Sequence, residues 1–392
     1  MILGSDPNDA QALSGMPYYA RLALERAGCE VVPVIGAPPP VVGASAGPLR
    51  KIAKAILPDA VKRWLVTNAS GQGQAVREAA QRSQQLVAKW MAENPNRVDV
   101  LLGHNTSLQL AELPASIRMP IIYTSDTTAR ILFDTYPEKA GAKPDYREAS
   151  EELERKALHR ATRVGMASDL AVSSAVTDFG VPRERVRLVP LGCHLTPGEG
   201  YVPKPDAPTR DNLRLLIVAS DPVRKRTGFA VNVVEELRRK GVNATLVHIG
   251  RPHGTLRSPM VESLGRLRLG VAEDRAKHLA ALESSHFSIL PSLGEAFGIA
   301  PAESALFARP AIVSDTGGLP TVVRQNETGL VLPVNAPPQA WANEIAQLVE
   351  NPTRYLQMGE AARKRALAEF TWDAYAAHIL AMADDCLSQQ QR

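Results

Sequence analysis

Short apolar runs alternate with stretches of helical periodicity along most of the chain. The run 213–220 (LRLLIVAS) predicts a buried strand. Apolar residues spaced four apart at Phe229, Val233 and Leu237 predict a helix that ends before Gly241. Such alternation is typical of βα units, which build parallel sheets. We therefore predict the α/β class.

The alternation occurs in two separate stretches. The first predicts strands at 1–5, 30–35, 98–102, 120–125, 164–166 and 186–189, and helices at 17–27, 73–93, 148–160 and 170–179. The second predicts strands at 213–220, 244–249, 287–290, 311–313 and 329–332, helices near 275–283 and 299–307, and a mainly helical tail at 339–387. Each stretch is expected to form one doubly wound domain.

The segment 196–212 separates the two stretches. It is dense in proline, glycine and charge and lacks apolar periodicity, which is typical of a linker. Two domains also suit a chain of 392 residues. We predict an N-terminal domain at 1–195, a C-terminal domain at 213–370, and a final helix at 371–392 that packs back on the first domain. Ligands of such sheets bind at the carboxyl ends of the strands, so the site is expected in the cleft between the domains.

Composition limits the classes of function. The chain is 45% hydrophobic, 5% aromatic and 22% charged, which fits a folded soluble protein rather than a disordered or fibrous one. A net charge of +4 suits anionic ligands such as nucleotide sugars, or an acidic membrane surface, and falls short of a nucleic-acid-binding signature. The three cysteines, Cys29, Cys193 and Cys386, form no CxxC motif, so neither a disulfide framework nor a zinc site is expected.

Localisation follows from similar considerations. No apolar run reaches the 18 or more residues of a membrane span, and the N-terminus opens on a strand rather than a signal sequence. We expect a cytoplasmic protein. Basic residues flank apolar ones at 51–65, which favours either peripheral contact with the inner face of the membrane or an ordinary surface helix interrupted by Pro58.

The segment 288–303 (SILPSLGEAFGIAPAE) predicts a strand, a glycine-containing turn and a helix. Glycines in the turn allow the backbone to approach a ligand closely, and the N–H groups at the helix start favour an anion. A diphosphate therefore fits the turn, whose candidate binding residues are Gly294, Ala296, Phe297, Gly298 and Ile299.

Two acidic residues belong to the same segment. Glu295 lies in the turn, and Glu303 follows two helical turns later on roughly the same side. A carboxylate suits a pair of vicinal hydroxyls, so one acid is a candidate for the sugar and the other for a ribose. Taken in isolation, a pair of glutamates at this spacing is more typical of a solvated helix face.

The segment resembles the donor motif of glycosyltransferase family 4, in which two glutamates are separated by seven residues and Phe-Gly follows the first. The resemblance continues through 310–314, the pair Gly317-Gly318 and 326–330. It implies the GT-B fold, with two Rossmann-like domains facing each other across a cleft. It also implies a nucleotide-sugar donor in the C-terminal domain. The resemblance further implies retention of anomeric configuration, with the donor phosphate accepting the proton.

Arg224 and Lys225 follow the strand 213–220. They suit either a solvated basic loop or a clamp on the donor diphosphate, and the family resemblance favours the clamp. The glycine that usually follows the lysine is replaced by Arg226. No two aspartates are separated by a single residue, so the Asp-X-Asp metal motif is absent from the sequence and no metal site is predicted. Cationic side chains would then stabilise the leaving group.

The first domain supplies two further candidates. Gly15, within a segment that resembles the family's first loop, suits close approach to the diphosphate or an ordinary turn before Pro17. In 120–128, where many family members carry His-Asp, this chain has Ser125-Asp126. Asp126 is therefore a candidate for contact with a sugar or acceptor hydroxyl, or for helix capping. His104 is a weaker alternative.

The sequence thus predicts a glycosyltransferase, expected to transfer a hexose in polysaccharide or glycolipid biosynthesis. Its catalytic candidates are Glu295, Arg224, Lys225 and Asp126. The donor would be a UDP-, GDP- or ADP-sugar, the acceptor a hydroxyl of a saccharide, lipid carrier or small metabolite, and no further cofactor is expected. The alternatives are a non-catalytic sugar-nucleotide sensor or scaffold, and a GT-B phosphorylase or epimerase.

Overall fold

The computed structural model describes residues 2–3, 15–35, 71–203, 206–251 and 254–390. Of the sequence predictions, the loop at 6–9 and the amphipathic stretch at 51–65 lie outside these ranges. Two six-stranded sheets, each entirely parallel, organise the described residues. The prediction of an α/β protein with two doubly wound sheets is confirmed.

The first sheet has the order β2-β1-β3-β4-β5-β6. Its strands are β1 (Ile2–Leu3), β2 (Val34–Ile35), β3 (Leu101–His104), β4 (Ile121–Ser125), β5 (Arg163–Met166) and β6 (Val186–Leu188). The accompanying helices are α1 (Met16–Arg26), α2 (Gln72–Glu93), α3 (Ser107–Leu110), α4 (Ala129–Thr135), α5 (Pro144–Arg160) and α6 (Asp169–Thr177). Every residue of β3, β4 and β5 is buried, as expected where helices cover both faces of a parallel sheet.

The second sheet has the order β12-β11-β10-β7-β8-β9. Its strands are β7 (Leu213–Ala219), β8 (Ala244–Gly250), β9 (Val261–Ser263), β10 (Phe287–Leu290), β11 (Ala311–Ser314) and β12 (Gly329–Leu332). This is the Rossmann strand order. The chain adds β7, β8 and β9 toward one edge of the sheet, then returns to the centre and adds β10, β11 and β12 toward the other edge. The loops after β7 and β10 therefore meet at the topological switch point.

Seven helices accompany this sheet within the described residues. They are α7 (Thr227–Arg239), α8 (Ala272–Ser284), α9 (Ile299–Leu306), α10 (Leu319–Val322), α11 (Pro338–Val349), α12 (Pro352–Glu369) and α13 (Trp372–Gln390). The last of them, α13, packs against α1 and contacts β4 and β5 of the first sheet. Within the described part of the chain, none of the helices combines the length and apolar character that a membrane span requires.

The two halves are joined by neighbouring segments. The N–H of Cys193 donates to the carbonyl of Phe370 at 2.9 Å. A Cβ on Gly192 would lie 2.5 Å from Trp372, so the segments approach too closely for any larger residue. Nearby, the His194 ring stacks on Tyr19 with centroids 4.6 Å apart. The chain thus crosses between the halves at two places that pack against each other.

Most predicted strands lie within one to three residues of their observed bounds. The predicted strand at 30–35 is too long, because only its last two residues, Val34 and Ile35, pair with β1. Strand β9, whose residues are half-buried or exposed, was not predicted from the sequence. Helix α4 was not predicted either; Thr128 caps it by accepting a hydrogen bond from the N–H of Ile131.

Candidate active site

A cavity of about 450 Å³ lies between the two halves, at the carboxyl ends of β7, β8 and β10. The first half contributes Met16, Asp126 and Tyr136 to its walls. The second half contributes the loop after β7, the turn after β10 and the start of α9. Both loops belong to the switch point of the second sheet, where ligands of open α/β sheets bind.

Two glycines, Gly317 and Gly318, pack closely against the backbone of the turn between β10 and α9. A Cβ on Gly317 would lie 1.7 Å from the carbonyl oxygen of Glu295, and one on Gly318 would lie 2.2 Å from that of Ala296. The N–H of Gly318 also donates to the carbonyl of Glu295 at 2.9 Å. The Gly317-Gly318 pair therefore fixes the shape of the turn that carries Glu295.

Gly298 precedes α9 in the left-handed region, at φ 109° and ψ 60°. This conformation favours glycine and ends the turn so that the first N–H groups of α9 face outward. Ala296, Phe297, Gly298 and Ile299 all line the cavity. The ring of Phe297 also packs edge-to-face on Phe370, with centroids 5.8 Å apart, so it links the turn to a crossing between the halves.

The carboxylate of Glu295 forms ion pairs with two neighbouring cations. Its Oε2 lies 3.2 Å from Nη1 of Arg224 and 3.3 Å from Nζ of Lys225. Burial raises the pKa of Glu295, but the charges of Lys225 and Arg224 outweigh this effect, so the pKa lies below its usual value. The three side chains, each 12–13% exposed, form a charged cluster on the cavity wall.

Arg224 also connects the two halves. Its Nη1 donates to the carbonyl of Gly294 at 2.7 Å. Its guanidinium lies 4.7 Å from the centroid of the Tyr136 ring, and its Nε lies 3.6 Å from Glu138. Gly294 is not among the residues that line the cavity. A Cβ there would lie 2.5 Å from the carbonyl oxygen of Thr135, so this glycine permits close approach of the first half.

Arg226 points away from this cluster. It lies in the left-handed region at φ 49° and ψ 49°, the conformation that a glycine adopts without strain. Its Nη1 donates to the carbonyl of Val334 at 2.8 Å, and its guanidinium packs 4.0 Å from the Phe229 ring centroid.

Glu303 is 4% exposed and lines the cavity. Its Oε1 accepts hydrogen bonds from the backbone N–H groups of His194 and Leu195, each at 3.0 Å. Burial raises the pKa of Glu303 to about 7. The hydrogen bonds from Leu195 and His194, and then the positive charges of Arg275 and Lys225, offset the effect of burial on this pKa in part. No sequence pattern marks the bonds of Glu303 to residues 194 and 195.

Asp126 lines the cavity from the first half. The cap of α4 is Thr128 rather than Asp126. Burial raises the pKa of Asp126, and the negative charge of Glu295 raises it further. The loop that carries it is ordered by Asn105, whose Oδ1 accepts from the hydroxyl of Ser125 at 2.7 Å.

A buried carboxylate that the sequence analysis missed supports the same loop. Glu154 accepts from the N–H of Ala129 at 2.5 Å and from the hydroxyl of Tyr123 at 3.3 Å. Burial raises its pKa to about 7. No motif marks Glu154, and its partners lie 25 and 31 residues away in the chain.

Two further candidates lie outside the cavity lining. Gly15 adopts φ 79° at the start of α1, and its neighbour Met16 lines the cavity. His104 is buried, with Nδ1 2.9 Å from the hydroxyl of Thr124 and its ring edge-on to Tyr375. Among the described residues, no three His, Cys, Asp or Glu side chains converge in a way that would hold a metal ion.

Comparison with known proteins agrees with this geometry. Residues 211–365 match the family described as glycosyl transferases group 1. The chain is 25% identical to a D-inositol 3-phosphate glycosyltransferase of Corynebacterium glutamicum over 70% of this chain and 68% of that protein. It is 24% identical to an MMP alpha-(1->4)-mannosyltransferase of Mycolicibacterium hassiacum over 61% of this chain and 57% of that protein.

Solved structures share the whole architecture. Sucrose-phosphate synthase from Thermosynechococcus elongatus superposes with a TM-score of 0.67 at 19% identity, covering 96% of this chain and 94% of the other. HepE of Anabaena, solved with UDP and glucose, gives a TM-score of 0.54 at 14% identity, covering 93% and 88%. The chain therefore shares the GT-B fold of these solved structures, and residues 211–365 resemble the group 1 glycosyl transferases.

Proposed function

We propose that the chain transfers a sugar from a nucleoside diphosphate sugar to a hydroxyl acceptor, with retention of configuration and without a metal ion. The observation that carries the proposal is the cluster of Arg224, Lys225 and Glu295 beside the start of α9. Asp126 lines the same cavity from the other half.

The diphosphate is assigned to the space between Arg224, Lys225 and the N-terminus of α9. Negative charge develops on the leaving phosphate during glycosyl transfer. Two cations and the positive end of a helix stabilise such charge without reorganising, which is the largest catalytic contribution in many enzymes. We therefore assign to Arg224 and Lys225 the role that a metal ion has in other transferases.

Glu295 is assigned to the hydroxyls of the transferred sugar. Its lowered pKa keeps it ionised, so both oxygens act as acceptors. The ribose is assigned to Glu303. Because Oε1 of Glu303 already accepts two backbone N–H groups, the ribose contact falls to Oε2.

Asp126 is assigned to the acceptor hydroxyl. Its place opposite Glu295 supports a position near the reacting centre, and retention is proposed to use a donor phosphate oxygen as the proton acceptor. HepE was solved with UDP and glucose, and the curated relatives are named for inositol 3-phosphate and mannosyl transfer. These names support a polyol or saccharide acceptor. A lipid-linked acceptor, contact with the membrane, assignment to family 4 and a cytoplasmic location stay predictions.

The test measures free nucleoside diphosphate released from UDP-, GDP- and ADP-sugars in the presence of saccharide and polyol acceptors, with and without EDTA. We expect release that depends on acceptor and is insensitive to EDTA. Product NMR should show the anomeric configuration of the donor. Glu295→Gln and Lys225→Ala should each lower kcat by about 100-fold, in the range known for loss of a single charge-stabilising group. Arg226→Ala is the matched cationic control and should retain the wild-type rate.

Three outcomes would overturn parts of the proposal. Sugar phosphate or an epimerised donor as the product would indicate a phosphorylase or an epimerase. Nucleotide binding with no product from any acceptor would support the non-catalytic sensor. Loss of activity in EDTA, restored by a divalent cation, would overturn metal independence alone.

A further inference from the structure

His278 lies in the second turn of α8 and forms part of the cavity wall. It is 5% exposed. Neither ring nitrogen has a hydrogen-bond partner among the described residues. A buried imidazole without partners lowers the stability of the folded state, because its polar atoms lose water and gain nothing in return. Such local conflicts are expected at functional sites.

The surroundings keep this ring neutral. Burial, together with the positive charge of Arg275, lowers the pKa of His278 to about 4. A neutral imidazole offers one N–H donor and one acceptor nitrogen. His278 therefore carries one donor and one acceptor, and neither is paired with another residue of the described chain.

The location of His278 identifies the ligand group. The diphosphate end of the cavity is formed by the loop after β7 and the turn before α9. The other end is formed by the end of β8, by residues 266–269, and by α8. The N–H of Gly250 donates to the carbonyl of Gly265 at 2.9 Å, which holds the segment that leads into 266–269 beside β8.

Glu303 also lines this cavity and is linked to α8, because its Oε1 accepts from the N–H of His194 while the carbonyl of His194 accepts from Nη1 of Arg275 at 3.3 Å. A nucleoside diphosphate that places its phosphates at Lys225 and its ribose at Glu303 extends its base toward α8. Arg275 and His278 are one helical turn apart on that helix, so they lie on the same side of it.

We propose that His278 hydrogen-bonds the edge of the donor nucleobase and sets which base the site accepts. The inference rests on the proposed function, because it assumes a nucleotide donor in this cavity. The ring nitrogens are not exposed in the present orientation. A half-turn of the ring about its Cβ–Cγ bond exchanges each nitrogen with a ring carbon and leaves the shape of the side chain unchanged.

The test compares binding of UDP, GDP, ADP and inorganic pyrophosphate to the wild type and to His278→Leu by isothermal titration. Leucine fills a similar volume and offers no hydrogen bond. We expect affinity for the preferred nucleoside diphosphate to fall by about tenfold or more, the loss of at least one hydrogen bond. The preference among bases should largely disappear, while affinity for pyrophosphate stays unchanged. His278→Gln, which keeps a donor and an acceptor, should restore part of the preference.

Thermal unfolding without ligand separates this role from a structural one. Leucine removes a buried polar group without a partner, so His278→Leu should keep or raise the wild-type Tm. His286→Leu is the matched control. His286 is also buried, but its Nδ1 accepts from the N–H of Arg214 at 3.0 Å. That variant should lower Tm and leave the base preference intact.

The outcomes distinguish the two proposals. If the wild type binds pyrophosphate but shows no preference for any nucleoside diphosphate over it, the proposed donor site is wrong and this inference falls with it. If the wild type prefers one base and His278→Leu keeps both affinity and preference, this inference alone is wrong. Equal weakening of pyrophosphate and nucleotides would also overturn it, because the change would then have disturbed the phosphate end.

Discussion

The guanidinium of Arg224 lies 4.7 Å from the centroid of the Tyr136 ring, so a cation from the second half rests on an aromatic ring from the first. Arg224 is also one of the two cations on Glu295. The position of a group assigned to the donor phosphate therefore depends on the first half. This contact brings the two walls of the cavity together.

Removal of the Tyr136 ring should weaken donor binding. A cation–π contact contributes about 0.5–2 kcal/mol, so Tyr136→Leu should raise the KM for the donor by about 2- to 30-fold. Initial rates over a range of donor concentrations measure the effect. Tyr136→Phe retains the ring and should behave like the wild type. Equal losses in both variants would assign the effect to the phenol hydroxyl instead.

Gly294→Ala should prevent the two halves from approaching each other as closely as they do in the wild type. The added Cβ would lie 2.5 Å from the carbonyl oxygen of Thr135, and relief of such a clash costs about 1–3 kcal/mol. We expect a lower kcat and a larger radius of gyration in small-angle scattering, with nucleotide binding by the second half retained. Gly198→Ala is the control, since no atom lies within 4 Å of its Cβ position. An unchanged kcat in Gly294→Ala would show that turnover does not need this approach.

Glu154 should make stability depend on pH in a definite direction. Burial raises its pKa from the model-peptide value of 4.5 to about 7 in the folded protein, so the folded state binds the proton more tightly than the unfolded state. The stability that this tighter proton binding contributes is fully present below pH 4.5 and is lost as the pH rises through 7. The loss amounts to about 3 kcal/mol from a shift of this size.

Urea unfolding of the wild type and Glu154→Gln between pH 4.5 and 8 measures this effect. The free energy of unfolding of the variant should increase relative to that of the wild type as the pH rises. A difference that stays constant with pH would contradict the raised pKa. Glu303 has a pKa raised to about 7 as well, so its share cancels in this comparison.

Arg226→Gly should separate backbone conformation from phosphate binding. Glycine adopts the left-handed conformation without the steric cost of about 1–2 kcal/mol that a residue with a Cβ carries. The same change loses the bond to Val334 and the contact with Phe229, worth a similar amount. We expect a free energy of unfolding close to that of the wild type and unchanged donor affinity, whereas Arg226→Ala should be destabilised. A fall in donor affinity equal to that of Lys225→Ala would place Arg226 in the phosphate site.

The parts of the fold with continuous apolar runs could be predicted from sequence. Strands β7 and β10 are buried along most of their length, and burial on both faces leaves an unbroken apolar signal. In contrast, β9 is half-exposed and pairs along one edge, so its sequence carries no such signal. Its position depends on β8, which is a tertiary contact.

The same distinction applies to the site. Glu295, Arg224 and Lys225 lie in loops that follow predicted strands, so local sequence indicates where they belong. Glu154 lies in the middle of α5, where a glutamate ordinarily faces solvent, and only the packing of α4 and β4 around it buries the carboxylate. Likewise, an isolated histidine in α8 has no pattern that would distinguish it from a surface residue.

The bonds from Glu303 to His194 and Leu195 have an evolutionary consequence. A change of length within 196–212 falls after the residues that Glu303 holds, so it would leave both of these bonds in place. A deletion or register change within 193–195 would instead remove two N–H groups from a buried carboxylate in the donor cavity. Glu303, which we assign to the donor ribose, therefore also holds the joint between the halves, and selection on either role constrains the other.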